Sequence, residues 1–242
     1  MPALKVAARF CGPPGFGNGG YFCGLLAARG DAPLRVRLER PIPLETDLDV
    51  ISEADGVLRV QQGEQVIARA APADLELAVP MAPDYVQALA ASRRYLGFAI
   101  QTFPNCFVCG INRARGDGLR VFAGALSDAS GATLEMVAAP WLPDESLVQA
   151  DGKVAAEYMW AALDCPGYFA ARNDGVAMLL GEYQAQIDRR VHTDESCVIV
   201  GWRLAVNGRK YEAGTALFDE DGEPCGRARA LWIEPRAGLP KA

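Results

Sequence analysis

Alternating hydrophobic and polar positions dominate this chain and predict a mainly antiparallel β-protein with few helices. Apolar side chains recur at every second residue in nine segments, the pattern of strands with one buried face. The predicted strands are 34–42, 56–62, 65–71, 119–126, 132–140, 182–190, 196–206, 210–220 and 226–235. Asp221-Gly222 lies between the last two and predicts a hairpin turn there.

Three helices are predicted between these strands. The first, YFCGLLAARG (21–30), follows a loop rich in Gly and Pro, and the second, KVAAEYMWAAL (153–163), should be stopped by Cys165-Pro166-Gly167. The third, DYVQALAASRRYLGF (84–98), should join two halves of the chain. We therefore predict a first domain over residues 1–103, which includes the linking helix, and a second over 104–242.

A repeated pattern supports this division. Residues 17–33, GNGGYFCGLLAARGDAP, resemble residues 150–166, ADGKVAAEYMWAALDCP, with Asn18 aligned on Asp151 at an offset of 133 residues. Two weaker echoes follow in the same order, pairing 36–50 with 185–199 and 61–70 with 219–230. Three echoes in one order predict two copies of one domain.

Composition and charge restrict the function classes. Of 242 residues, 50% are hydrophobic and 22% charged, an ordinary globular composition. The net charge is −6 and the basic residues are scattered, so no nucleic-acid partner is expected. No membrane-spanning run and no signal peptide are recognised, so a cytoplasmic protein with seven reduced cysteines is expected. Assembly into a homo-oligomer is left open.

Several motifs resemble those of hotdog-fold, thioesterase-like proteins. GNGGYFCGLLA resembles the His-Gly-Gly helix signature of acyl-CoA thioesterases, with Asn18 where many members have His. CFVCGINRARGDGLRVF (106–122) resembles the opening of PaaI-like hotdog proteins, and ALDCPG (162–167) resembles their helix segment with a catalytic Asp. The resemblance implies an α+β double hotdog, in which two long helices are each wrapped by a curved antiparallel sheet.

This resemblance assigns candidate roles in thioester hydrolysis. Backbone N–H groups of Gly19 and Gly20 would polarise the carbonyl at a helix N-terminus, beside Asn18. Asp164 would activate water, although it lies thirteen residues after Asp151, where the family spacing is about nine. The sequence also predicts Asp164 at the end of an apolar helix, where a negative charge opposes the macrodipole.

Alternatives remain for both the acid and the site. Glu157, inside the same predicted helix, is the rival carboxylate. In a fused pair of domains, Gly19 and Gly20 should face the acid of the second half. Asp31 and Asp151-Gly152 would form a second, weaker pseudo-site, because Lys153 replaces the second Gly there.

No metal and no cofactor are expected from the sequence. Cys106 and Cys109 form a CxxC pair, but no second pair exists and His192 is the only histidine. The pair is therefore interpreted as two buried thiols. No phosphate-binding or dinucleotide-binding fingerprint is supported. Basic residues that could meet CoA phosphates are Arg113, Arg115, Arg172, Arg209 and Lys210.

Two functions follow from these observations. The first is hydrolysis of acyl-CoA or a similar small-molecule thioester. The alternative is a non-catalytic hotdog protein that binds acyl or aromatic ligands, because Asn18, Lys153 and the position of Asp164 depart from the active pattern.

Overall fold

The computed structural model describes residues 2–171, 174 and 176–236. Within them, eleven strands form one antiparallel sheet in the order β1-β3-β4-β5-β2-β8-β11-β10-β9-β7-β6. The strands are β1 Leu4–Lys5, β2 Leu34–Leu38, β3 Asp47–Ser52, β4 Leu58–Gln62, β5 Gln65–Pro72, β6 Gly124–Ser127, β7 Thr133–Trp141, β8 Leu179–Ile187, β9 Cys197–Asn207, β10 Lys210–Phe218 and β11 Pro224–Ile233. The mixed α/β character and the large antiparallel sheet agree with the alternating sequence pattern.

Four α-helices accompany the sheet: α1 Gly19–Ala27, α2 Tyr85–Ser92, α3 Ala156–Ala162 and α4 Asp164–Ala171. Short 3-10 turns lie at Ala8–Phe10, Ala54–Gly56, Leu96–Phe98 and Glu145–Leu147. Within the described ranges, no helix combines the length and apolar character needed to cross a bilayer.

Apart from β6, which lies beyond β7 at one edge, the strand order is symmetric about the junction of β2 and β8. β2 pairs with β8, with Arg35 opposite Gln184 and Val36 opposite Tyr183. From this junction the sheet runs outward as β2-β5-β4-β3-β1 on one side and as β8-β11-β10-β9-β7 on the other. Because each order follows the same sequence of connections, the topology is compatible with the repeat predicted from the sequence. The junction also pairs two strands that would otherwise be exposed sheet edges.

The alignment of residues 17–33 with 150–166 differs from the alignment of α1 with α3 in the structure. Asn18 is the N-cap of α1, but α3 has Ala155 as its N-cap, four residues after Asp151. Counted from Ala155, Asp164 lies nine residues on, which is the family spacing. The longer spacing of thirteen residues therefore came from aligning Asn18 on Asp151.

The second-half helix is also shorter than predicted, because it is divided. α3 ends at Ala162, Leu163 caps it, and α4 begins at Asp164. The prediction that Cys165-Pro166-Gly167 would stop the helix is wrong. Pro166 lies in the first turn of α4, where no intrahelical N–H bond is required of it. Neither α1 nor α3 is the long helix that the family resemblance implied.

Two other predicted boundaries are corrected, and strand β3 is added. The linking helix ends at Ser92 instead of continuing to Phe98. The predicted strand 119–126 is β6 only from Gly124 onward, because the backbone N–H groups of Leu119 and Val121 donate to Phe107 and Val108 in a loop. Strand β3 was missed by the prediction, although Leu48 and Val50 alternate with exposed Asp residues there.

The core has two layers separated by the sheet. α1 packs against α3, and α4 packs on β9 and β10, within the main cluster of buried side chains. On β9, Cys197 and Ile199 belong to that cluster, whereas Val198 and Val200 face a second one. Helix α2 covers the second cluster through Ala88 and Ala91. This arrangement explains why the sequence at the start of β9 is apolar without alternation.

Candidate active site

The N-terminus of α1 is held in place by its own loop and by Asn18. The backbone N–H of Asn18 donates to Phe10 O at 2.8 Å, and the N–H of Gly17 donates to Ile42 O at 2.8 Å. The Asn18 side chain, 3% exposed, accepts a bond from the Tyr21 N–H at 2.8 Å and so caps the helix. An Asn at this N-cap keeps a free amide donor after capping, which an ionised Asp would not.

That free donor is used to hold a carboxylate from the second half of the chain. Asn18 Nδ2 donates to Asp164 Oδ2 at 2.9 Å, and the Gly20 N–H donates to the same oxygen at 3.0 Å. The structure thus brings Asn18, Gly20 and Asp164 together at the start of α1. The Gly20 N–H, which the sequence assigned to a substrate carbonyl, is bonded to Asp164 instead.

Asp164 is buried, with 2% exposure, and its second oxygen is unsatisfied. Oδ1 has no hydrogen-bond partner among the described residues. Burial raises the pKa of this carboxyl to about 7, and the bonds from Gly20 and Asn18 offset part of that rise. A carboxyl with such a pKa can accept and return a proton near neutral pH.

The position of Asp164 also corrects its predicted electrostatics. The residue is the first of α4 and not the last of an apolar helix. The macrodipole of α4 favours a negative charge there, whereas that of α3, which ends at Ala162, opposes it.

Gly20 and Gly19 differ in what surrounds the position where a side chain would begin. A Cβ on Gly20 would lie 2.5 Å from Asp164 Cβ and 2.9 Å from Trp160 O, so no larger residue fits there without a shift. A Cβ on Gly19 would meet Leu180 Cδ2 at 2.7 Å, the end of a flexible side chain. As the first helical residue, Gly19 has an N–H without an acceptor inside the helix.

An apolar cleft of about 250 Å³ opens beside these groups. Phe16 and Ile42 line it from the first half, and Met178, Leu180 and Trp232 line it from the second. Asn18, Gly19 and Asp164 lie in its wall, and Arg40 is the one basic residue among the described lining residues. The cleft can therefore place an apolar group next to Asp164.

The other candidate residues lie elsewhere. Glu157, in the first turn of α3, packs against α1, where a Cβ on Gly24 would lie 2.7 Å from Glu157 Cα. It is not among the described residues that line the cleft. Asp31 is exposed, and Asp151 is exposed and pairs with Arg190 at 2.7 Å. No hydrogen bond among the described residues joins Asp31 to Asp151 or Gly152, so the expected second pseudo-site is not assembled.

Four of the basic residues considered for CoA phosphates are not among the described residues that line the cleft: Arg113, Arg115, Arg209 and Lys210. Arg113 bonds to Asp117 and to the Cys11 sulfur. Arg209 donates to the Glu234 carbonyl oxygen at 2.5 Å. Arg172 lies outside the described residues. Sequence reasoning missed Arg40, which no motif distinguished from other surface charges.

Comparison with known proteins agrees with this fold. No protein-family model and no curated protein matches the sequence. The structure is similar to the tesB protein of Mycobacterium avium subs paratuberculosis, with a TM-score of 0.59, 15% identity, and coverage of 96% of this chain and 91% of that one. Two further structures carry provisional thioesterase assignments. The one from Novosphingobium aromaticivorans has a TM-score of 0.58, 12% identity and coverage of 96% and 94%. The one from Thermobifida fusca, assigned as a thioesterase II, has a TM-score of 0.58, 15% identity, and coverage of 97% of this chain and 93% of that one.

These similarities cover nearly the whole chain at low identity. The chain therefore has the fold of thioesterase superfamily proteins. The resemblance to hotdog thioesterase-like proteins is confirmed at the level of the fold.

Proposed function

We propose that this protein hydrolyses thioesters, with acyl-CoA or a similar small molecule as substrate. The observation that supports this most is the unpartnered Oδ1 of buried Asp164 at the wall of an apolar cleft, beside the N-terminus of α1. Its other oxygen is fixed by Asn18 and Gly20, so the carboxyl has one orientation and one oxygen to offer a water molecule.

In the proposed reaction, Asp164 Oδ1 takes a proton from water as the water oxygen bonds to the thioester carbon. Negative charge develops on the carbonyl oxygen, and the Gly19 N–H at the start of α1 stabilises it. The carbon–sulfur bond then breaks, and Asp164 returns the proton to the departing thiolate. The products are a carboxylic acid and a free thiol, with the carboxylate of Asp164 restored.

We also propose that the chain is a double hotdog of two related domains, 1–103 and 104–242. The symmetric strand order supports the duplication. Counting from the N-caps, Asn18 corresponds to Ala155, Gly20 to Glu157 and Asp164 to Ala27. The pseudo-equivalent position therefore lacks the amide, the second glycine and the acid, and one hydrolytic site per chain is expected.

A non-catalytic binding protein is the second candidate. The observation that favours it is the bond from the Gly20 N–H to Asp164, which leaves one fewer backbone donor for a substrate carbonyl. In that reading the same cleft holds an acyl or aromatic group without hydrolysing its thioester. The cytoplasmic location and any homo-oligomer remain predictions in either case.

Release of free thiol from a panel of acyl-CoA thioesters tests the proposal. Activity on at least one thioester, lost in Asp164→Asn, is the expected result. If the wild type releases no thiol from any thioester but binds acyl-CoA or a free acid in calorimetry, the binding function replaces the hydrolytic one.

A further inference from the structure

Three cysteine thiols meet at the inner wall of the cleft. The Sγ atoms of Cys106, Cys109 and Cys165 all lie within 4.8 Å of one another, and all three residues are buried. Cys106 Sγ is 3.7 Å from Cys165 Sγ. Only the CxxC pair was expected from the sequence, because Cys165 lies far along the chain at the start of α4. The fold supplies this third sulfur.

The CxxC pair lies in a tight turn at the cleft wall. Asn18 Nδ2 donates toward Cys106 Sγ at 4.0 Å. The Gly110 N–H closes the turn on Cys106 O at 2.9 Å. A Cβ on Gly110 would lie 2.4 Å from that carbonyl oxygen, so the turn requires glycine. The turn keeps the sulfurs of Cys106 and Cys109 within 4.8 Å of each other.

The loop is also fixed to two other parts of the chain. The Tyr95 hydroxyl donates to Cys109 O at 2.8 Å, and the Phe107 N–H donates to Cys11 O at 2.7 Å. The sulfur cluster is therefore held by several elements before any ion binds, which lowers the ordering cost of coordination.

We propose that Cys106, Cys109 and Cys165 bind a zinc ion as thiolates. Tetrahedral zinc has Zn–S distances of about 2.3 Å, which places two coordinating sulfurs roughly 3.8 Å apart. The Cys106–Cys165 separation of 3.7 Å fits this geometry. Three soft sulfur ligands select zinc over magnesium or calcium. Since all three residues adjoin the cleft or its wall, a water or small ligand can take the fourth position.

The experiment is metal analysis of full-length protein, expressed with zinc in the medium and purified without chelator. Stoichiometric zinc is expected in the wild type. The matched variants are Cys106→Ser and Cys165→Ser, with Cys197→Ser as control, because Cys197 is buried in β9 outside the cluster. Zinc affinity should fall in the cluster variants by more than the roughly 10- to 100-fold that loss of an outer-shell partner costs. The control should keep the wild-type zinc content.

A second measurement needs no variant. Cobalt added to the chelator-treated wild type should give the near-ultraviolet thiolate-to-cobalt charge-transfer bands, with an intensity that corresponds to three sulfur ligands. Absence of zinc together with absence of these bands would overturn the proposal. A Cys106–Cys165 or Cys106–Cys109 disulfide in mass spectra of the native protein would also overturn it, in favour of a redox pair. Neither readout uses thioester hydrolysis, so the outcome is separate from the proposed function.

Discussion

Asp164→Asn is the most informative perturbation of the candidate site. The Asn side-chain oxygen can accept the bonds from Asn18 and Gly20 that Oδ2 accepts in the wild type, so the local structure should persist. The amide then occupies the position of Oδ1, and it cannot take a proton from water. Loss of a general base reduces turnover by about 100- to 10,000-fold, and we expect a decrease in kcat of that size.

The same substitution, which should lower turnover, should raise the stability of the folded protein at pH 8. Burial raises the pKa of Asp164 from 3.8 to about 7, so the folded protein holds this proton more tightly than the unfolded chain does. Wild-type stability should therefore decrease as pH rises from about 4 through about 7, by up to roughly 4 kcal/mol at 1.36 kcal/mol per pKa unit. Asp164→Asn has no carboxyl to titrate at this position, so this decrease of stability with rising pH should be absent. Its free energy of unfolding should be close to that of the wild type at pH 4 and higher at pH 8.

The assays are thiol release for turnover and urea unfolding at pH 4, 6 and 8 for stability. Asp31→Asn, at an exposed position, should leave both quantities unchanged. Glu157→Gln tests the rival acid. If Glu157→Gln abolishes hydrolysis while Asp164→Asn preserves it, Glu157 is the acid. Full hydrolysis by all three variants would refute a carboxylate mechanism.

Four further substitutions test the remaining parts of the site. Gly20→Ala should lower the free energy of unfolding by about 1–3 kcal/mol, because its Cβ would lie 2.5 Å from Asp164 Cβ, while Gly19→Ala should cost less in the same urea titration. Asn18→Asp keeps the helix cap but loses the donor to Asp164, and kcat/KM should fall about 10- to 100-fold in the thiol-release assay. Arg40→Gln should raise KM about two- to five-fold for a CoA thioester but not for an N-acetylcysteamine thioester, which has no phosphates; equal changes would exclude a phosphate contact.

The local patterns of the sequence predicted much of the sheet. The hairpin of β10 and β11 followed from alternation around Asp221-Gly222, and β5 followed from alternation in 65–71. Alternation failed at 119–123, where Leu119, Val121 and Ala123 are buried although part of the segment is bonded to a loop. Alternation of apolar and polar residues indicates that one face of a segment is buried. It does not indicate which other segment supplies the hydrogen-bond partners.

The meeting of Asn18, Gly20 and Asp164 shows what sequence reasoning can and cannot supply. The residue types and the contact between the first-half helix and the second-half acid were expected from the family resemblance. The role of the Gly20 N–H was not expected. Its donation to Asp164 depends on a separation of 3.0 Å that no sequence spacing defines. The approach of Cys165 to Cys106 was likewise hidden, since it arises only when α4 packs beside the loop.

The two halves contribute complementary parts to one site, and this bears on how the chain could work. The first half supplies the capped helix with Gly19 and Gly20 but has Ala27 at the position of the acid. The second half supplies Asp164 but has Ala155 and Glu157 where the amide and the second glycine would be. Because the losses are complementary, neither half could form the proposed site with a second copy of itself. Pairing of β2 with β8 within one chain fixes the halves against each other, and it makes the proposed hydrolytic site a property of the whole chain.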